Sequence, residues 1–195
     1  MGVYKAAMER RTIRRFQDKP VPYNILEKCV DAARLSPTAR NKQPLEFIAV
    51  KEPNQVEKMR ETIFLGGTVG KKGNTPGEEP KAYIVIIADR EKSDEEYVKM
   101  DTGIAAQSIA LTAFEENLGT CMIGLLKRDK IKELLGIPDD FEIMLAIGLG
   151  YPKEEPKAEK PTEDMRYWTD EQGQLHIPKR SLEQVMHKNR LLEKE

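Results

Sequence analysis

Apolar residues recur at helical spacing in some stretches of the chain and run without interruption in others. From Asn24 to Leu35 the apolar positions are Ile25, Leu26, Cys29, Val30 and Ala33. They share one face of an amphipathic helix, which Ser36-Pro37 ends. Ala82 to Ala88, AYIVIIA, is continuously apolar and β-branched, the pattern of a buried central strand. Glu142 to Leu149, EIMLAIGL, predicts a second apolar strand, and Leu45–Val50 and Thr120–Ile123 predict two shorter ones. A long helix is predicted from Glu95 to Leu118. Met100, Ile104, Gln107, Leu111, Phe114 and Leu118 fall on it at helical steps, while Ala105, Ala106, Ala110 and Ala113 lie on several faces. The expectation is a central helix packed on more than one side, with Gly119 at its C′ position. Shorter helices are predicted at residues 3–9, from Pro53 to about Phe64, from Arg128 to Leu135 with Gly136 closing it, and from Arg180 to Leu192. The paired prolines Pro20 and Pro22 favour an extended path for the basic stretch 10–22. Five glycines in residues 66–77 mark a loop. Residues 153–178 are rich in charge and proline and read as an arm that wraps another surface or stays mobile. Helices and strands alternate without a βαβ rhythm, so the expected class is α+β, with helices around one sheet.

Composition narrows the function classes. The 195 residues suit a single domain. Lys plus Arg number 32 against 33 Asp plus Glu, a net charge of -1, which argues against a nucleic-acid module working through global positive charge. No run approaches the ~20 apolar residues of a membrane span. The first residues, MGVYKAAMERRTIRRF, contain no secretory apolar segment, and Gly2 lacks the Ser or Thr of a myristoylation signal. Cys29 and Cys121 are far apart and lack CxxC spacing. A disulfide framework and a zinc site are therefore not expected, and a reducing cytoplasm is.

Four segments carry candidate chemistry. In Arg10-Arg11-Thr12-Ile13-Arg14-Arg15-Phe16, four arginines and a hydroxyl lie in six residues. In an extended chain Arg10, Thr12 and Arg14 point the same way. Guanidinium forks match phosphate oxygens, and a threonine hydroxyl adds a donor. The same run is also compatible with a solvated basic turn facing acidic residues elsewhere. Ser36-Pro37-Thr38-Ala39-Arg40-Asn41-Lys42-Gln43-Pro44 joins a helix to a strand. Its amides could read a heterocycle edge of mixed polarity, or it could be an ordinary turn. Gly119-Thr120-Cys121-Met122-Ile123-Gly124 would let backbone N–H groups approach a planar ligand, or would simply be a cap and a buried strand. Lys179 and Arg180 precede a predicted helix, whose N–H groups would add anion affinity, unless this is only the start of a surface helix. No HExxH, P-loop or GxSxG pattern is present, and His176 and His187 lack metal-ligand spacing.

The order of these segments resembles that of the nitroreductase-like family of FMN-dependent oxidoreductases. The family's R-R-[ST]-x-R motif matches Arg10, Arg11, Thr12 and Arg14. Its S-P-[ST]-x-x-N-x-Q-P motif matches Ser36 to Pro44, and its G-[ST]-x-x-[IM]-G turn matches Gly119 to Gly124. A basic pair leading into L-E-x-V matches Lys179, Arg180, Leu182, Glu183 and Val185.

The resemblance implies a nitroreductase-like α+β fold over residues 1–195, with a central mixed β-sheet flanked by helices. It implies a domain-swapped homodimer with FMN at the interface and residues 153–195 as a C-terminal arm wrapping the partner protomer. Arg10, Arg11 and Thr12 would hold the ribityl phosphate, joined by Lys179 and Arg180. Arg14 would approach the pyrimidine end of the flavin, where a cation stabilises the reduced state. Pro37, Thr38, Ala39 and Asn41 would come from the other protomer. Ile123 and Gly124 would supply backbone contacts near N5 and O4, and Asn74 would reach the pyrimidine. The flavin would carry the chemistry, so no catalytic side chain and no metal are expected. The implied reaction is ping-pong electron transfer from NADH or NADPH to a small electrophile such as a nitroaromatic or quinone. The alternative is a non-catalytic flavin store or sensor. Nucleic acid and membrane are not expected partners. Leu45 stands where many relatives carry an aromatic residue, and loop 65–80 matches no recognisable specificity segment. Both bear on the acceptor rather than on the cofactor.

Overall fold

The structure is a computed structural model of the chain and describes residues 2–65, 76–161 and 164–191. These fall into two compact units, one ending at residue 154 and the other beginning at 155.

The first unit is built on strand pairing that the apolar runs dictate. Strands β1 (Leu45–Val50), β2 (Ala82–Asp89), β3 (Gly119–Ile123) and β4 (Phe141–Gly150) form one antiparallel sheet in the order β1-β2-β4-β3. Residues 82–88 of β2 are buried on both faces, as its uninterrupted apolar sequence requires. Ala82, Ile84 and Ile86 point into one core, Tyr83, Val85 and Ile87 into another. A bulge near the β2–β4 centre leaves Met144 unpaired, between Ile143 opposite Ile87 and Leu145 opposite Ile86.

Helices cover both faces. The first core takes Ile25, Leu26, Cys29 and Ala33 from α2 (Tyr23–Arg34). The second takes Met59 from α3 (Pro53–Arg60). A further short helix, α1, spans Val3–Glu9. The long helix α4 runs Val98–Glu115 and α5 runs Arg128–Leu135. α4 adds Ala105, Ala106, Ile109 and Ala113 to the first core, and α5 adds Ile131 to the second. Helix α5 ends at Gly136 (φ +64), as its sequence predicts.

Several boundaries differ from the sequence expectation. Helix α3 stops at Arg60 rather than near Phe64, because residues 62–64 turn to pair with 125–127. Lys127 N–H donates to Thr62 O at 2.8 Å and Phe64 N–H to Leu125 O at 3.0 Å. Helix α4 starts at Val98, three residues late. Its buried residues, 98, 101, 102, 105, 106, 109, 110 and 113, form one stripe of mostly small side chains. Small residues let the helix lie close to the sheet. The large side chains of Met100 and Ile104 are 52% and 42% exposed. Helices α1 and α2 and strands β3 and β4 all pack against α4, so it is covered on more than one side, as expected, with the Met100–Ile104 side left open.

The left-handed residue ending α4 is Asn117 (φ 61), not Gly119, which is the first residue of β3. Gly119 is small for another reason: a Cβ there would lie 2.6 Å from Ile13 Cγ1. Gly119→Ala is expected to cost about 1–3 kcal/mol by overpacking, with Asn117→Gly nearly neutral. Urea denaturation of both variants checks the reassignment.

The second unit holds β5 (Lys157–Glu159), β6 (Trp168–Thr169) and β7 (Leu175–Pro178) in a small sheet of order β5-β7-β6. The arm is thus partly built rather than plain extended chain. It ends in α6 (Leu182–Val185), one turn instead of the expected helix from 180 to 192. No helix among the described residues is long and apolar enough to cross a membrane.

Candidate functional site

The arginine segment is anchored as an extended strip. Thr12 forms a parallel bridge with Thr120 of β3, and Ile13 N–H donates to Thr120 O at 2.9 Å. This bridge is the parallel pairing at the edge of the otherwise antiparallel central sheet. Ile13 and Phe16 are buried, seated over Gly119 and Gly150, whose hydrogens leave the room they need. Farther along, the strip lies against residues 151–154. Gln17 N–H donates to Tyr151 O, and Lys153 N–H to Arg15 O. Glu154 Oε1 accepts the backbone N–H groups of Arg14 at 2.5 Å and Arg15 at 3.1 Å. Residues 10–14 and 119–124, two separate sequence motifs, are thereby brought together.

The anchoring sorts the four arginines. Arg15 pairs with the buried carboxylate of Glu78 through Nε at 2.6 Å, and Lys153 reaches the same carboxylate at 2.8 Å. Arg10 and Arg11 are half-buried, and neither forms an ion pair among the described residues. Arg11 Nη1 donates to Arg10 O at 2.6 Å. The Nε of each is buried without a hydrogen-bond partner. Burial, and then the like charge of Arg11, lower the pKa of Arg10. Two adjacent cations with unmet donors have the chemistry to hold an anion. Half-buried Arg14 has its backbone held by Glu154, and its charge reaches the buried Cys121 thiol. Burial pushes that thiol up to about 11, with Arg14 opposing and Glu154 reinforcing. Cys29, on the buried face of α2, is pushed up by burial to about 12.

Neither Glu78 nor Glu154 was singled out by the sequence. Both lie in charged stretches that resemble solvated loops, and Glu78 stands 63 residues from Arg15. Hydrogen bonds from Arg15 and then Lys153 hold the Glu78 carboxyl at about 2, against an ordinary 4.5. The unfolded chain therefore takes up that proton first as pH falls. The stabilisation is full above about pH 4.5 and fades toward pH 2. Glu78→Gln is expected to be less stable than wild type near neutrality and equal to it near pH 2. Urea midpoints measured across that window check the sign.

The turn after α2 is anchored elsewhere. Ala39 N–H donates to the buried Asp101 of α4 at 3.1 Å, Ser36 and Ser108 hydroxyls meet at 2.9 Å, and Gln43 N–H donates to Thr38 Oγ1. Ala39–Asn41 is a single 3-10 turn. Arg40, Asn41 and Gln43 hold left-handed φ of 53, 54 and 49, which for side chains other than glycine costs of order 1–3 kcal/mol each and clusters at functional sites. Pro37 and Asn41 are exposed, and Thr38 and Ala39 half-buried. Within one chain this turn rests on α4 while the arginine strip rests on β3.

At the end of β3, Ile123 is buried. Gly124 is exposed, and a Cβ on it would meet nothing within 4 Å. Its backbone thus borders open space, flanked in sequence by the exposed side chains of Met122 and Leu125. Lys179 and Arg180 are exposed and follow β7 directly. The expected help from a helix N-terminus is not there. Helix α6 is one turn, Ser181 and Gln184 cap it reciprocally, and Arg180 donates to Gln184 O. The two side-chain charges remain. Asn74 lies outside the described residues. No cluster of metal-ligating side chains is found among the described residues.

Comparison with known proteins matches residues 7–151 to the Nitroreductase family model. A protein of Archaeoglobus fulgidus, provisionally named an NADH dehydrogenase/NAD(P)H nitroreductase, is 32% identical over 157 residues, spanning 77% of this chain and 86% of that one. A crystal structure of a nitroreductase family protein from Clostridium novyi is 30% identical, with a TM-score of 0.67 over 78% of this chain and 88% of that one. An FMN-dependent nitroreductase from Clostridium difficile is 27% identical, with a TM-score of 0.67 over 93% and 96% of the two chains. The matched span contains the arginine strip, the strained turn and β3. The chain belongs to the nitroreductase family.

Proposed function

We propose that this chain is an FMN-dependent NAD(P)H oxidoreductase acting as a homodimer. The observation that carries the reading is the pair of half-buried guanidiniums, Arg10 and Arg11, with buried Nε donors unmet, while their neighbour Arg15 is already neutralised by Glu78. FMN presents a phosphate with a charge of about -2 at neutral pH. Arg10, Arg11 and Thr12 bind that phosphate, with Lys179 and Arg180 adding charge. Arg14 orients the pyrimidine edge and favours negative charge there. Pro37, Thr38, Ala39 and Asn41 reach the cofactor of the partner protomer. The backbone of Ile123 and Gly124 faces the flavin ring, where Gly124 leaves room for a flat ligand. Asn74 completes the pyrimidine contacts.

When bound, FMN supplies the redox chemistry, accepting hydride from NADH or NADPH and passing electrons in ping-pong order to a small electrophile such as a nitroaromatic or quinone. The protein positions the ring and keeps water from its edge. The dimer is supported by the large exposed side chains along α4, Met100 and Ile104, with Val3, Tyr4 and Met8 exposed on α1, which packs against α4. Together they leave an apolar face for a second copy.

The test is anaerobic titration of the FMN-loaded protein with each nicotinamide, followed by a panel of acceptors. Bleaching of the flavin by NADH or NADPH and return of colour on adding a quinone are expected. A flavin that binds and stays oxidised would overturn the enzymatic reading in favour of a flavin store or sensor. A protein that stays colourless with excess FMN would overturn both.

A further inference from the structure

His176 sits at the centre of the small sheet, on β7, in register with Lys157 of β5 and Trp168 of β6. Its two ring nitrogens face two carboxylates: Nδ1 lies 2.8 Å from Glu159 Oε2, and Nε2 lies 3.1 Å from Asp170 Oδ2. Trp168 stacks on the imidazole with centroids 4.1 Å apart and planes 8° from parallel. The indole N–H donates to the other Glu159 oxygen at 2.8 Å. Asp170 Oδ1 accepts the N–H groups of Gln172 at 3.0 Å and Gln174 at 2.7 Å, closing the turn between β6 and β7. The main-chain carbonyl of Glu159 accepts the N–H of Lys179 at 2.8 Å. One imidazole is thus tied to β5, to β6 through the stack, and to the turn, while Glu159 ties the cluster to the first residue of the basic pair.

A neutral imidazole has one N–H and can donate to one carboxylate only. The cation donates to both. We propose that His176 is a positioning residue that works as the imidazolium: by bridging Glu159 and Asp170 it fixes the end of β7 and with it Lys179-Arg180, so that affinity for the anionic cofactor falls as His176 loses its proton. This inference rests on the assignment of Lys179 and Arg180 to the FMN phosphate. The charged groups facing the ring are Glu159 on β5, Asp170 beyond β6 and, in register, Lys157. The two carboxylates raise the pKa of His176, and His176 in turn helps lower those of Glu159 and Asp170. The clamp is therefore complete below the ordinary histidine value of 6.5 and is lost as pH rises through the raised value.

The chain has two histidines and one tryptophan, which makes the test direct. In the FMN-loaded protein, proton NMR titration of the imidazoles, assigned with His187→Gln, is expected to show His176 titrating above the ordinary histidine value of 6.5. Asp170→Asn, which keeps the shape and removes a charge, should move that titration down. In parallel, the Kd for FMN is measured between about pH 7 and pH 9, where the phosphate stays doubly ionised. Wild type is expected to weaken about tenfold in all as pH rises through the value at which the NMR titration places His176, the scale of one charge-assisted hydrogen bond. His176→Gln should bind weakly and without that slope. A His176 that titrates at or below 6.5, or equal slopes for wild type and His176→Gln, would overturn the proposal. The phosphate assignment fails separately: Lys179→Ala with Arg180→Ala would then bind FMN as wild type does, while the NMR result stood.

Discussion

Replacing Arg10 and Arg11 together by alanine is expected to raise the Kd for FMN by about 10²–10⁴-fold. Hydrogen bonds to charged groups are worth roughly 1.5–3 kcal/mol each, and every 1.4 kcal/mol is tenfold. In the structure neither guanidinium forms an ion pair among the described residues, and each Nε is buried and unpaired. The apoprotein should therefore not suffer from the change. Its urea midpoint is expected to stay level or to rise, because two partly desolvated like charges are removed. Arg15→Ala should do the reverse, since it leaves Glu78 with Lys153 alone. It is expected to lower apoprotein stability with a smaller effect on FMN. Flavin titration and denaturation of the same preparations separate the two roles. An arginine pair that serves only the fold would show the opposite ordering.

The second large effect concerns α4. Ile104→Glu is expected to convert the proposed dimer to a monomer at micromolar concentration, with its Kd rising about a thousandfold or more. An unpaired carboxylate forced into an apolar contact costs several kcal/mol. Ile104 is 42% exposed and outside both cores, so the subunit fold should persist by circular dichroism. Because the 37–41 turn is assigned to the partner's cofactor, FMN affinity should fall with dissociation. Light scattering and flavin titration on one sample test this coupling. A stable dimer with unchanged affinity would remove the α4 face from the interface.

The uninterrupted apolar run of β2 and the amphipathic pattern of α2 were legible in the sequence because each is a strictly local pattern. The orientation of α4 was not. Its large apolar residues and its alanines both recur at helical steps, and only the packing against α2 and the sheet turns the alanine side inward. Gly119 was read as a helix end because a glycine after a helix commonly is one. Its true constraint is Ile13, more than a hundred positions earlier, a steric fact without local signal. The same holds for the site. Arginine density marked residues 10–15, but which of those charges stay available depends on Glu78 and Glu154, acids indistinguishable in sequence from their solvated neighbours. The strands of residues 157–178 are two to four residues long, too short for alternation to show, and a run of charge concealed them.

The two buried thiols carry a practical consequence. With Cys29 at about 12 and Cys121 at about 11, fewer than about one in a thousand of either is ionised at neutral pH, and the ionised form is the reactive one. Maleimides and peroxide should pass over both in the native protein. A cysteine placed on the surface would then be the single fast-labelling position per chain, so spin labels or dyes can report distances across the proposed dimer without stripping the native chain of its own sulfur.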